Sequence, residues 1–153
     1  MIQTERLNIK PLSYGELLRY AFGRKGSVVE DKDEIWILED LAINVRNKKD
    51  ELFYTFWVAD DNGEWVGDIG VKGTPSEFGM VEIWYHVAEG KRSNGYGTEM
   101  TKAFVRWLSL DKRVNFVCAM VDFNNEASKR ALIKNGFKII NKTENQYIFI
   151  LQI

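Results

Sequence analysis

Three β-rich runs separated only by short turns occupy residues 52–88, and they constrain the fold more than any other feature of the chain. Leu52 to Ala59 is a continuous aromatic and β-branched run, the pattern of a strand buried on both faces. Asp60-Asp61-Asn62-Gly63 follows, and Asn-Gly is a strong signal for a two-residue hairpin. Trp65 to Val71 is the partner strand, Gly73-Thr74-Pro75-Ser76 breaks the chain again, and Val81 to Ala88 is the third strand. Connections this short leave no room for a crossover helix, so the middle of the chain is antiparallel sheet.

The flanks alternate differently. Arg6 to Lys10 reads as a first strand stopped by Pro11, and Ser13 is placed to cap a helix ending near Gly23. The polar stretch Gly23 to Lys32 is predicted as a loop. Ile35, Leu38, Leu41, Ala42 and Val45 recur at helical spacing. Met100, Ala103, Phe104, Trp107 and Leu108 mark another helix, and Val114 to Val121 an apolar strand. Asn124 to Asn135 is a helix with Lys134 in its last turn and Gly136 as its stop. Phe137 to Ile140 and Tyr147 to Leu151 close the fold as strands. The order implies an α/β (α+β) domain spanning 1–153: a mixed sheet of about seven strands with about four helices on its two faces.

Composition narrows the function classes. Five Trp, nine Phe and six Tyr supply a core, and a net charge of −1 without a basic run argues against a non-specific nucleic-acid binder. No stretch approaches the roughly 20 apolar residues of a membrane span. Met1 to Lys10 lacks a basic segment followed by an apolar one, and a single cysteine makes no intrachain disulfide, so a soluble cytoplasmic protein is expected. Cys118 sits in the apolar run Val117 to Met120 and reads as buried filler.

The chemistry concentrates between His86 and Met100. A strand runs into a short polar loop, Arg92-Ser93-Asn94-Gly95-Tyr96-Gly97-Thr98, and then into an amphipathic helix. Such a junction leaves unpaired backbone N–H groups at the positive end of a helix dipole, which suits a phosphate. Gly95 and Gly97 let the backbone approach the anion, and Arg92 adds a fixed positive charge. A dinucleotide fingerprint fails because Met100 stands where a third glycine is needed, with no acidic residue across Asn115 to Ala119. A nucleoside-triphosphate loop fails for want of its Gly-Lys-Ser/Thr triplet. A pyrophosphate cradle and a glycine-rich turn that binds nothing are equally compatible with the loop by itself.

Arg92-x-x-Gly95-x-Gly97 resembles the Arg/Gln-x-x-Gly-x-Gly/Ala motif of the GNAT superfamily of acyl-CoA N-acyltransferases. Asn125-Glu126-Ala127-Ser128 followed by Asn135-Gly136-Phe137 is similar to that family's second block. Thr4-Glu5-Arg6-Leu7-Asn8-Ile9-Lys10-Pro11-Leu12 resembles the opening strand of the branch containing the Rim-type ribosomal-protein acetyltransferases. The resemblance spans essentially the whole chain and implies a GNAT fold with acetyl-CoA as co-substrate and no metal. It implies that the pantetheine arm lies along Val81 to Ala88, touching backbone at His86 and Val87, and that the pyrophosphate sits on Arg92, Ser93, Asn94, Gly95, Tyr96 and Gly97 with Thr98 close by. Asn125 then binds the pantetheine amide, caps its helix, or does both. Glu99 reads as ordinary helix-start chemistry.

Acetyl transfer to an amine requires a neutral amine and a protonated leaving thiol. Glu82 shares one face of its strand with Trp84 and His86, opposite Val81, Ile83, Tyr85 and Val87. A carboxylate mid-strand is unusual, and an acidic residue here is a frequent base in the resembled family, so Glu82 is the candidate base. A salt-bridged Glu at an open edge is the structural alternative. His86, the only histidine, lies about 13 Å further along the strand and is read mainly as a pocket-lining residue. The family's common acid is a Tyr seven residues after the motif Asn, but here that position is Leu132. Ser128 takes the role by resemblance to Rim-like members, with solvent as the competing proton source.

The acceptor is expected to be a small-molecule amine or a peptide N-terminus, met by residues between Ser13 and Lys48, where Glu30, Asp31, Asp33 and Glu34 form an acidic cluster. GNAT proteins occur as monomers and homodimers, and both remain open. Catalysis by direct attack in a ternary complex competes with a CoA-binding regulatory module without turnover and with a phosphate-binding interaction domain.

Overall fold

The computed structural model describes residues 1–23 and 50–153. One eight-stranded sheet runs in the order β1-β2-β3-β4-β5-β6-β8-β7. Its strands are β1 (Ile2–Gln3), β2 (Leu7–Pro11), β3 (Trp57–Asp61), β4 (Glu64–Val71), β5 (Met80–Val87), β6 (Phe116–Asp122), β7 (Lys138–Lys142) and β8 (Gln146–Gln152). The helices among the described residues are α1 (Tyr14–Gly23), α2 (Tyr96–Leu108) and α3 (Glu126–Lys134). β1 through β5 form an antiparallel meander, β5 and β6 are parallel, and β6, β8 and β7 are antiparallel again. The mixed α/β class read from the sequence holds, with the two-residue β1 making eight strands where about seven were expected. The predicted helix around Ile35 to Val45 and the acidic cluster from Glu30 to Glu34 lie outside the described residues.

The hairpin is the one the sequence implied. Asn62 and Gly63 both take positive φ, 53° and 83°, as a two-residue turn matched to strand twist requires, and Gly63 N–H donates to Asp60 Oδ1 at 2.8 Å. The strand predicted from Leu52 begins only at Trp57. β2 reaches its last pair at Pro11–Trp57, and beyond it a single bond, from Leu12 N–H to the Phe56 carbonyl at 2.9 Å, continues the ladder. Glu51–Phe53 instead forms a short 3₁₀ turn that buries Phe53 against Trp107, with ring centroids 5.9 Å apart. An aromatic run buries itself this way as readily as in a strand.

Alternation along β3 sorts the two layers. Trp57 and Ala59 join the main core with Phe104 and Leu108 of α2 and Leu132 of α3. Phe56 and Val58 face the other way, onto Leu12 and Leu17 beneath α1. Helices therefore cover both faces, as expected. Ser13 caps α1 through a reciprocal pair: Glu16 N–H donates to Ser13 Oγ at 3.4 Å, and the Ser13 N–H and hydroxyl donate to Glu16 Oε2 at 2.9 and 2.7 Å. Those bonds hold the Glu16 carboxyl below its ordinary range.

Candidate functional site

β5 is paired with β6 only from Met80–Phe116 to Glu82–Cys118. Beyond that point β5 continues along β4 as far as Val87, while β6 continues along β8 as far as Asp122. The sheet thus splits, leaving a wedge between two strands that were adjacent at their base. A cavity of about 690 Å³ opens there, within the range of ligand sites. Its walls are the end of β5, the loop into α2 and the first turns of α3.

The structure brings together His86, Val87, Arg92, Ser93, Gly95, Tyr96, Gly97, Thr98, Asn125 and Ser128 around this cavity. It does not bring Asn94 in. The Asn94 side chain turns back on its own loop, donating to the carbonyls of Lys91 and Arg92 at 3.1 Å each. Arg92 donates from Nε to the Val87 carbonyl at 3.3 Å, which ties the loop to the end of β5. Gly95 is the residue before α2 and has φ 82°, a left-handed conformation that glycine adopts without cost. A Cβ there meets only Arg6 Nη2 at 3.6 Å, so conformation rather than crowding requires the glycine. At Gly97 a Cβ would reach Val87 Cγ2 at 3.4 Å, so the helix start lies close against β5.

Lys91, Arg130 and Lys134 also line the cavity and were missed from the sequence. Arg130 and Lys134 are four apart, one helical turn, so the signal was present once α3 was placed. Lys91 is held by Glu64 at 2.7 Å. With Arg92 these residues make the cavity wall rich in positive charge, against Asp122.

Asn125 caps α3, its Oδ1 accepting from Ser128 N–H at 3.0 Å. The capping half of its two expected roles is therefore present in the structure. Tyr85 was read only as part of an apolar face. It is largely buried, and its hydroxyl donates to the Ser128 carbonyl at 3.2 Å, spanning the split from β5 to α3. Burial pushes its phenol above the ordinary value and keeps it protonated at neutral pH. Tyr85, Asp122, Asn125 and Ser128 line both the large cavity and a smaller one of about 150 Å³ that contains Glu82 and Trp84. They mark the neck between the two.

Glu82 is about a quarter exposed and forms an ion pair with Lys72 at 2.5 Å, so the salt-bridged alternative is realised without removing the carboxylate from the cavity. Its face is the expected one. Trp84 stacks edge-on against Phe56 at 4.5 Å, on the α1 side. His86 shares that side, with Nδ1 3.8 Å from the fully buried Asp68. Cys118 is half-buried, and burial, reinforced by the Glu82 charge, pushes its thiol up, away from thiolate chemistry. Among the described residues no helix is long and apolar enough to cross a membrane.

Residues 10–138 match the family described as "Acetyltransferase (GNAT) domain". The uncharacterized N-acetyltransferase YjdG of Bacillus subtilis (strain 168) is 33% identical over 90 residues, covering 59% of this chain and 53% of that protein. The match thus spans about half the length of that relative. Among solved structures, Mycobacterium smegmatis RimJ in complex with CoA-disulfide superposes with a TM-score of 0.71 at 14% identity, over 95% of this chain and 81% of that one. A Vibrio cholerae SpeG spermidine N-acetyltransferase mutant superposes with a TM-score of 0.72 at 10% identity, over 97% and 95% of the two chains. At these identities the structures share the fold.

Proposed function

Because the chain belongs to the GNAT acetyltransferase family, we propose that it transfers an acetyl group from acetyl-CoA to a primary amine by direct attack in a ternary complex. The observation that carries this reading is the split between β5 and β6 directly below a glycine loop that opens α2. Backbone of β5 past Glu82 is left without its β6 partner, an internal sheet edge suited to an extended arm with amides. The loop at the other end offers helix N-terminal donors and a basic wall, which suits phosphates.

Acetyl-CoA, when bound, supplies an activated thioester carbonyl. Arg92, Gly95, Gly97 and Thr98 hold the phosphates, helped by Arg130 and Lys134 across the cavity. Val87 and the β5 backbone align the arm toward the neck. Glu82, in the smaller cavity, takes the proton from the incoming ammonium and passes it to water, with Lys72 fixing the carboxylate's position. As the new C–N bond forms and the C–S bond breaks, the nitrogen's second surplus proton goes to the departing sulfur, and the Tyr85 hydroxyl and Ser128 stand at the neck, where a hydrogen bond to that sulfur assists release. Leu132 is fully buried in the core and takes no part.

The acceptor is an amine, and the fold is shared with a spermidine N-acetyltransferase as well as with RimJ. A second reading, a CoA-binding module without turnover, is favoured by Leu132 at the usual acid position and by the Lys72 contact on Glu82. Calorimetric titration with acetyl-CoA, followed by thiol release against polyamines, aminoglycosides and N-terminal peptides, separates them. Binding with release in one amine class supports the enzyme. Binding without release across the panel supports the module, and no binding by folded protein removes both.

A further inference from the structure

Arg6 lies 88 residues before Asn94 in sequence and outside the cavity lining, yet it makes four hydrogen bonds to the glycine loop and the first turn of α2. Its Nε and Nη2 donate to Glu99 Oε2 at 2.8 and 2.6 Å, a bidentate pair with the first turn of α2. Its backbone N–H and the Thr4 hydroxyl both donate to Glu99 Oε1, at 3.2 and 2.5 Å. Its Nη1 donates to the Asn94 carbonyl at 3.1 Å. The guanidinium also lies over the Tyr96 ring, 4.5 Å from its centroid, and the Tyr96 hydroxyl is tied to Asp61 at 2.7 Å.

The bond to Asn94 has a geometric consequence. The chain has no cis peptide bonds among the described residues, so the C=O of Asn94 and the N–H of Gly95 point in opposite directions. Arg6 holds that carbonyl on the outer side of the loop. The Gly95 N–H is thereby aimed at the other side, and Gly95 lines the cavity where Arg6 and Asn94 do not. The Asn94–Gly95 peptide unit turns on ψ of Asn94 and φ of Gly95, and because glycine tolerates either sign of φ, Gly95 by itself does not hold that unit in the orientation that goes with φ 82°. Five N–H groups in a fixed fork let the guanidinium grip the Glu99 carboxylate bidentately and hold the Asn94 carbonyl at the same time.

We infer that Arg6 is a positioning residue for the acetyl-CoA loop, fixing the Asn94–Gly95 peptide so that the Gly95 N–H is presented to a phosphate oxygen. This role rests on the acetyl-CoA reading above. It acts through backbone, so Arg6 itself needs no contact with the ligand. Glu99 anchors the guanidinium and also spends its charge there, which leaves the cavity side of the loop free of a carboxylate.

The test is calorimetric titration of the full chain with acetyl-CoA. Arg6→Met keeps an unbranched stem and removes both sets of side-chain bonds together with the guanidinium over Tyr96, and it is expected to weaken binding about tenfold or more, as loss of one charge-assisted hydrogen bond implies. Arg6→Lys, which restores one donor to Asn94, is expected to recover most of that loss. Glu99→Gln leaves the Asn94 bond in place and is expected to change affinity by less than about threefold. In the wild type, the Gly95 amide proton resonance is expected to move strongly downfield as acetyl-CoA is added. Wild-type binding with an unmoved Gly95 amide, or equal affinities for wild type and Arg6→Met, overturns this role for Arg6 alone. Equal losses in Arg6→Met and Glu99→Gln overturn it in favour of a general structural brace. No binding by wild type removes the acetyl-CoA reading, and this role with it.

Discussion

The two ends of the wedge are built from different materials. At the end nearer α2, the loop from Arg92 to Gly97 is shaped through backbone: Ser93 and Gly95 take positive φ, Arg6 holds the Asn94 carbonyl, and Arg92 holds the Val87 carbonyl of β5. At the neck and beyond it, the lining comes from separate places: Glu82 and Tyr85 on β5, Ser128 on α3, and Lys72 just past β4. A backbone site favours particular residues at particular spacings, because glycine takes the left-handed conformation without the cost that a side chain such as that of Ser93 carries. A side-chain site demands only that some group reach the right place, and several elements can supply it.

The sharpest way to break this comparison is Glu82→Gln. Turnover with a competent amine is expected to fall on the order of 100- to 1,000-fold, the usual contribution of a general base. Acetyl-CoA affinity by calorimetry should stay within about twofold, because Glu82 lies in the small cavity and not the large one. Equal losses in both quantities would show that the two ends are one unit and that Glu82 serves binding.

Gly95→Val probes the other end. A valine forced to φ 82° carries about 1–3 kcal/mol of strain, equivalent to a loss of up to about 100-fold in acetyl-CoA affinity if the loop shifts to relieve it. Circular dichroism should show a folded chain, since no atom other than Arg6 Nη2 lies within 4 Å of the new Cβ. Unchanged affinity would mean the Gly95 backbone is not where the phosphates sit.

That contrast also explains what the sequence disclosed. Gly95, Gly97 and Arg92 stood out because their spacing matches a family motif between a strand and a helix, and the hairpin at Asn62-Gly63 because its turn needs positive φ at both residues. Asn94 was included with the rest of the loop, but its side chain turns back onto the Lys91 and Arg92 carbonyls and does not line the cavity. Tyr85 was hidden because a phenol in an apolar row looks like core, and only the split in the sheet gives its hydroxyl somewhere to go. Leu52 to Phe56 read as strand because an apolar run specifies burial without specifying a partner, and Pro11 had already ended the partner. Arg6 and Glu99 were out of reach altogether, since nothing local relates positions so far apart.

Tyr85→Phe sharpens the side-chain end. It deletes one hydroxyl from the neck while keeping the ring in the core. Turnover is expected to fall about tenfold at saturating substrates, within the range for loss of one hydrogen-bond donor in a site. Combining it with Ser128→Ala tests whether the two act together: a double variant no worse than Tyr85→Phe alone would assign the donor to Tyr85, and multiplied losses would give each its own contact.

The smallest effect is a stability term at the backbone end. Burial raises the Glu99 carboxyl, but the bonds from Thr4 and Arg6 outweigh it and leave the group below its ordinary range. A depressed carboxyl stabilises the fold above the unfolded value, about 4.3, and that contribution is lost as pH falls through the lower folded value. Thermal melts of the wild type from pH 6 to pH 3, compared with Glu99→Gln, should therefore converge toward the acid end. At neutral pH the difference is expected to be about 1 kcal/mol, modest because the Arg6 side chain is 39% exposed and solvent screens the pair. A gap that instead widened as pH fell would mean Glu99 is destabilising where it stands, and the brace behind the loop would be held by Tyr96 and Asp61.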